Sequence, residues 1–257
     1  MKRFLLIALL SSSLSIHASV DAKATDKVIT ESLLKKFSKK SNKKDLVALK
    51  KEVLSHSGKS VPALIQVMKS GQYPEKNRWV ATFMLGKVMG KKSAPFISKF
   101  LKHPSWVMRM ASLKTLLALK GSEYKRDFSE ALKDKSFIVR SQALDNISKL
   151  NLTSEAPFVW QMLYDKRNYY SPKGNNKKTA NLKRTNLIKK AILTVGELKF
   201  QKAKAPLLSM IQKDKYKDIF NEMNTSLEKI TGKKSPKGDK QVKTIFWKKI
   251  AIANKTI

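Results

Sequence analysis

Between Asn77 and Asp165 the chain repeats itself at a fixed interval, the step from Arg78 to Arg109 and again to Arg140, and that period narrows sharply what it can fold into. When the three arginines are set in one column, the residues that follow fall into register as R-x-x-small-x-x-x-apolar-x-x-apolar. The small position holds Ala81, Ser112 and Ala143, and the two apolar positions hold Leu85, Leu116, Ile147 and then Val88, Leu119, Leu150. These three positions share one face of a helix. A unit this short cannot bury its apolar face alone, so a fixed period of this size predicts stacked helical units, an α-solenoid.

A second helix in each unit has its own register. Pro62, Pro95, Pro157 and Pro206 each stand at a first helical position, where proline's fixed φ helps and its missing N–H costs little. Apolar pairs follow, as in Phe96, Ile97 with Phe100, Leu101. Arg126 takes the slot where proline is absent, with Phe128, Ala131 and Leu132 keeping most of the pattern. The spacing predicts a helix A over 78–89, 107–119 and 138–150, each followed by a turn and a helix B. The period breaks once. One step beyond Arg140 falls at Ser171, yet the next helix A opens only at Ile188, and the surplus lies in 165–184. Insertions in such arrays map to loops on one face, often the binding face.

Val107-Met-Arg109 and Ile138-Val-Arg140 opening helix A, the small residues at 81, 112 and 143, and Ala-Pro opening helix B at 94–95 and 156–157 together resemble HEAT-type repeats. The likeness is nearer to the short HEAT-like units of phycobilisome-lyase-type proteins, and covers about residues 60–232. It implies an all-α fold, a right-handed α-solenoid of about five HEAT-like helix pairs with N- and C-terminal capping helices. It implies almost nothing about activity, and a chromophore-lyase role rests on the repeat alone. In that family an Asp precedes the arginine by a few residues and pairs with its neighbours as a ladder. Asp134 fills that place here, but the equivalent positions hold His103 and Gln72, so the ladder is expected to be incomplete.

The expected organisation is a signal segment (1–18, or cleavage after 22), N-terminal capping helices (23–60), a repeat array (61–232) with its insertion at 165–184, and a C-terminal linker and capping helix (233–257). Lys2 and Arg3, then an apolar run to Leu10 and a small-residue exit at Ala18, read as a cleavable export signal, too short to remain as a membrane span. The expected location is periplasmic or secreted, with no transmembrane helix left after cleavage. There is no cysteine, hence no thiolate metal site, no cysteine nucleophile and no acylated anchor. At the C-terminus, Val242, Ile245, Phe246, Trp247 and Ile250 predict a capping helix over 240–254.

With 54 Lys plus Arg against 19 Asp plus Glu, the formal charge is +35. Cleavage would remove Lys2 and Arg3 and no acid. Such a surface attracts polyanions, although a lysine-rich proteome would also give it. No H-E-x-x-H, G-x-S-x-G or G-x-x-x-x-G-K-[ST] occurs, and acidic residues are scattered. The expectation is therefore a protein without enzymatic activity, cofactor or metal. The repeated arginines read as architecture facing the neighbouring unit, with a phosphate-gripping ladder as the alternative. Trp79 and Trp106 read as core between repeats. Candidate ligand residues are lysines near the ends of helix B, Lys102 and Lys133 one period apart and Lys135 and Lys166 likewise, running into Arg167, Tyr169, Tyr170, Lys173, Lys177 and Lys178 of the insertion. Ammonium groups interleaved with aromatics suit a phosphate-bearing or single-stranded ligand. The leading expectation is an exported scaffold that binds an acidic protein or anionic envelope polymer through a lysine-rich face, with peripheral contact to a membrane surface also in view. The alternative is a nucleic-acid binder or an enzyme of the HEAT-like DNA glycosylase type, for which no catalytic residue can be matched.

Overall fold

The computed structural model describes residues 24–170 and 183–253. The expected export signal and three of the candidate ligand residues, Lys173, Lys177 and Lys178, lie outside them. The chain divides into two compact units between Leu119 and Lys120.

In the first unit the helices are α1 (24–37), α2 (Lys43–His56), α3 (Val61–Lys69), α4 (Glu75–Met89), α5 (Ala94–Ser98) and α6 (Trp106–Ala118). α2 begins with a reciprocal cap, in which Asn42 Oδ1 accepts from the Asp45 N–H while the Asp45 carboxylate accepts from the Asn42 N–H. α4 is the centre of this unit, packed against α2, α3 and α6. Its in-register residues Ala81 and Leu85 are fully buried, as are Ser112 and Leu116 on α6.

The second unit holds α7 (Lys125–Ala131), α8 (Phe137–Lys149), α9 (Ala156–Gln161), α10 (Asn186–Glu197), α11 (Lys204–Met210), α12 (Phe220–Thr231) and α13 (Lys240–Ala253). α8 packs on α7 and α10, α10 also on α9 and α12, and α11 on α12 and α13. Ala143 and Ile147 of α8 are buried like their counterparts one period earlier. Among the described residues the fold is all-α apart from one short pairing at the base of the insertion, where β1 (Tyr169–Tyr170) runs antiparallel to β2 (Lys183–Arg184), Tyr169 opposite Arg184 and Tyr170 opposite Lys183.

Each long helix of a pair is followed within two residues by a positive φ. Ser57, Gly90, Lys120, Asn151, Lys199 and Gly232 follow α2, α4, α6, α8, α10 and α12, and all have positive φ, between 50° and 71°. The first five lead into a 3-10 turn that redirects the chain into the shorter helix. α2 and α3 share this connection, so α2 stands to α3 as α4 stands to α5. The turn requires a left-handed step, which glycine makes without cost and other residues make against steric strain. Close helix approach depends on glycine as well. A Cβ on Gly196 would lie 2.5 Å from the Ser226 Cα, so its absence is what lets α10 and α12 touch. Ser226 Oγ then donates to the Ile192 carbonyl at 2.8 Å.

The tryptophan-bearing C-terminal helix forms over the expected span. Trp247 is fully buried, and its indole N–H donates to Asn224 Oδ1 at 2.8 Å. The expectation for the other tryptophans needs correction. Trp79 is only half-buried, with Lys114 Nζ 5.5 Å from its ring centroid, and Trp106 is 44% exposed. Trp106 lies just ahead of Arg109, at a position that faces outward, and Phe137 in the same place before Arg140 is exposed too.

Candidate functional site

Three turns, those before α6 and α8 and the one at the root of the insertion, are built by a side chain that accepts from the backbone N–H two residues further along the chain. Asp134 Oδ1 accepts from Ser136 at 2.7 Å and Asp165 Oδ1 from Arg167 at 3.0 Å. His103, one period before Asp134, does the same through Nδ1, accepting from Ser105 at 3.0 Å. The expected gap in the ladder at His103 is thus filled by an imidazole nitrogen in place of a carboxylate oxygen.

The repeated arginines close these turns. Arg109 Nη1 donates to the carbonyls of His103 and Pro104, both at 2.8 Å, and Arg140 Nη1 to those of Asp134 and Lys135, at 2.7 and 3.2 Å. Arg140 also reaches the next turn, with Nη2 3.2 Å from the Arg167 carbonyl and Nε 2.9 Å from Asn168 Oδ1. Arg78 Nη2 donates to the Met68 carbonyl at 3.0 Å and lies 3.1 Å from His103 Nε2. All three arginines are buried, and burial lowers the pKa of Arg78 and Arg140. Each directs at least one donor at a backbone carbonyl and is buried away from an outside anion, so the phosphate-gripping alternative for them loses its basis.

The candidate ligand residues sit on the outside of the same turns. In the first unit Lys102 ends the 3-10 segment after α5 and is exposed. In the second, Lys133 and Lys135 flank Asp134, and Lys166 follows Asp165; all three are exposed. Lys133 also borders a groove of about 550 Å³ between α7 and α9, with Lys125 and Arg126 beside it and the buried carboxylate of Glu155 at its floor. That carboxylate accepts from Ser129 Oγ at 2.6 Å and Ser154 Oγ at 2.8 Å. The period sets Arg126 against Pro157 of the next unit, but spacing alone does not show that the Glu155 carboxylate lines the space between the two helices.

At the insertion the residues divide by role. Arg167 is already engaged, its Nε and Nη2 gripping both oxygens of Asp165 at 2.7 to 3.1 Å. That hydrogen bonding holds the Asp165 carboxyl below its ordinary value. The Tyr169 hydroxyl donates to the Leu163 carbonyl at 2.6 Å and anchors the base. Asn168 is fully buried and ties the root together, donating to the Met162 carbonyl at 2.9 Å while its own carbonyl accepts from Thr185 Oγ1 at 2.7 Å. Lys166 and Tyr170 remain outward.

Architecture, register and arginine geometry now stand together. Residues 61–148 match the family model of HEAT repeats. The matched span holds Arg78, Arg109 and Arg140 and the turns at Gly90 and Lys120, so over those residues the chain is similar to HEAT repeats. The insertion and α10–α13 lie outside the match. No curated protein matches the chain. HEAT repeats suit protein interaction, and the chemistry on these turns fits binding: ammonium groups, an exposed aromatic and hydrogen-bonded carboxylates. Among the described residues no group of three His, Cys, Asp or Glu side chains could hold a metal, and no helix is long and apolar enough to cross a membrane.

Proposed function

We propose that this protein is an exported, non-enzymatic HEAT-repeat scaffold that binds an acidic protein or anionic envelope polymer through the lysines of its inter-repeat turns. One observation carries the reading. On these turns the arginines are buried on carbonyls while Lys133, Lys135 and Lys166 are exposed, which leaves these lysines at the surface to meet an anionic ligand. Lysine keeps a compact charge in water and loses little on meeting a flexible anionic chain. The apolar run after Lys2 and Arg3 supports export to the periplasm or beyond, where envelope polymers would be at hand.

The test is binding of poly-L-glutamate to the purified chain at about 150 mM salt, where screening leaves only close contacts. Lys133→Glu/Lys135→Glu/Lys166→Glu should weaken it at least about tenfold, well beyond the same charge change at the exposed Lys51, Lys91 and Lys92. Equal losses would sink the assignment to these turns. A second reading, a single-stranded nucleic-acid binder, draws on the exposed ring of Tyr170 close along the chain to Lys166. Preference for oligonucleotide over poly-L-glutamate, lost on Tyr170→Ala, would favour it.

A further inference from the structure

The outer face of α13 sets exposed aliphatic side chains among lysines. Here Val242, Ile245 and Ile252 are 43%, 56% and 58% exposed, and with Lys249 they stand at i, i+3, i+10 and i+7, one stripe along the helix. The opposite side carries the buried Trp247 and Ile250 that fix α13 to the body of the unit. Lys248 and Lys249 flank the exposed isoleucines, and α13 contains no acidic residue. The carboxylate that precedes it in the chain, Asp239, is engaged as a cap on the Gln241 and Val242 N–H groups. Beside the stripe a groove of about 590 Å³ runs between α11 and α13, floored by Ala205, Leu208, Ala251 and Ile252 and bordered by Lys213 and Lys248, with no carboxylate in its lining.

We infer that this face docks on an anionic lipid bilayer. The inference deepens the reading of the chain as a polyanion binder and names a surface separate from the inter-repeat turns. Charge decides against a second copy, because α13 against α13 would set lysine on lysine within a chain of net +35. A folded protein partner would favour clustered aromatic or arginine anchors. α13 instead offers separate aliphatic side chains, each beside a lysine, so that the aliphatic groups enter the headgroup boundary while the lysine stems lie along it and keep their ammonium groups at the phosphates.

The experiment is sedimentation of the purified chain with vesicles of phosphatidylcholine and phosphatidylglycerol at about 7:3, against phosphatidylcholine alone, with poly-L-glutamate as a second probe. Binding to the anionic vesicles alone is expected. Ile245→Ser/Ile252→Ser should reduce it at least about tenfold without changing the charge. Lys248→Glu/Lys249→Glu should reduce it more than about 25-fold, given about fivefold per lysine near such a surface. Lys91→Glu/Lys92→Glu carries the same charge change in the other unit and should cost far less. Equal losses for the two lysine pairs, or full binding by the isoleucine variant, would overturn the assignment to α13. Binding to poly-L-glutamate without binding to vesicles overturns this inference and leaves the proposed function standing. Binding to neither overturns both.

Discussion

Arg140 Nε donates to the side-chain oxygen of Asn168 at 2.9 Å, joining two buried residues that lie far apart in the chain. Through this bond the arginine that orders α8 also holds the root of the insertion, because Asn168 carries the Met162 and Thr185 contacts as well. Asn168→Ala should destabilise the protein by about 3 kcal/mol, since it removes two buried hydrogen bonds and strands a charged donor. Urea denaturation would show it. A loss below about 1 kcal/mol would mean that Arg140 finds water there.

His103 stands where Asp134 stands one period on, and the exchange has a pH signature. Burial, and then the guanidinium groups of Arg78 and Arg109, hold its pKa below the ordinary 6.5. The unfolded chain therefore takes up the proton more readily. The stability contributed by the neutral ring is complete above about pH 6.5 and is lost as the pH falls from there toward the lowered folded value. Two N–H donors, from Ser105 and Arg78, face the two ring nitrogens, and a neutral imidazole can accept at only one of them. A carboxylate accepts both. His103→Asp should raise stability at pH 7 by about 1 kcal/mol and abolish the decline that begins near pH 6.5. Stability measured across pH 5 to 8 in both proteins checks the two claims together.

Ser57 and Gly90 occupy the same turn at φ 50°, ψ −128° and φ 56°, ψ −144°. Glycine is at ease in this region and serine is not. Nothing lies within 4 Å of a Cβ placed on Gly90, so its substitution tests the backbone alone. Ser57→Gly should stabilise by about 1 kcal/mol and Gly90→Ser destabilise by about the same, read as opposite shifts in melting temperature.

Gly196 tests space instead. Its φ is ordinary for a helix, and alanine is the better helix former. The gain is overwhelmed by the 2.5 Å approach to the Ser226 Cα, a backbone atom that cannot swing aside. Gly196→Ala should cost about 2 to 3 kcal/mol. A more stable variant would show that α10 and α12 can part freely.

Much of the repeat architecture was legible because a fixed period writes the same burial demand several times. Ala81, Ser112 and Ala143, with Leu85, Leu116 and Ile147, are buried as their register requires. Trp106 misled because hydrophobic character does not say which side of Arg109 faces outward. The turns were harder to read. Ser57, Lys120, Asn151 and Lys199 share positive φ without all sharing a residue type, and His103 replaces Asp by offering a nitrogen lone pair where an oxygen is expected.

The amino-acid sequence by itself determined the helix pairs, their register, the place of the insertion and the excess of positive charge, since each follows from local spacing or from counting. Folding decided which cations are engaged. Arg78, Arg109, Arg140 and Arg167 are committed to carbonyls or to Asp165, while Lys133, Lys135, Lys166, Lys248 and Lys249 stay at the surface. That division depends on partners brought from both near and far along the chain, which local spacing cannot reveal. The same physics leaves Ile245 and Ile252 outside while it buries Trp247 on the same helix, because α13 has the rest of its unit on one side only.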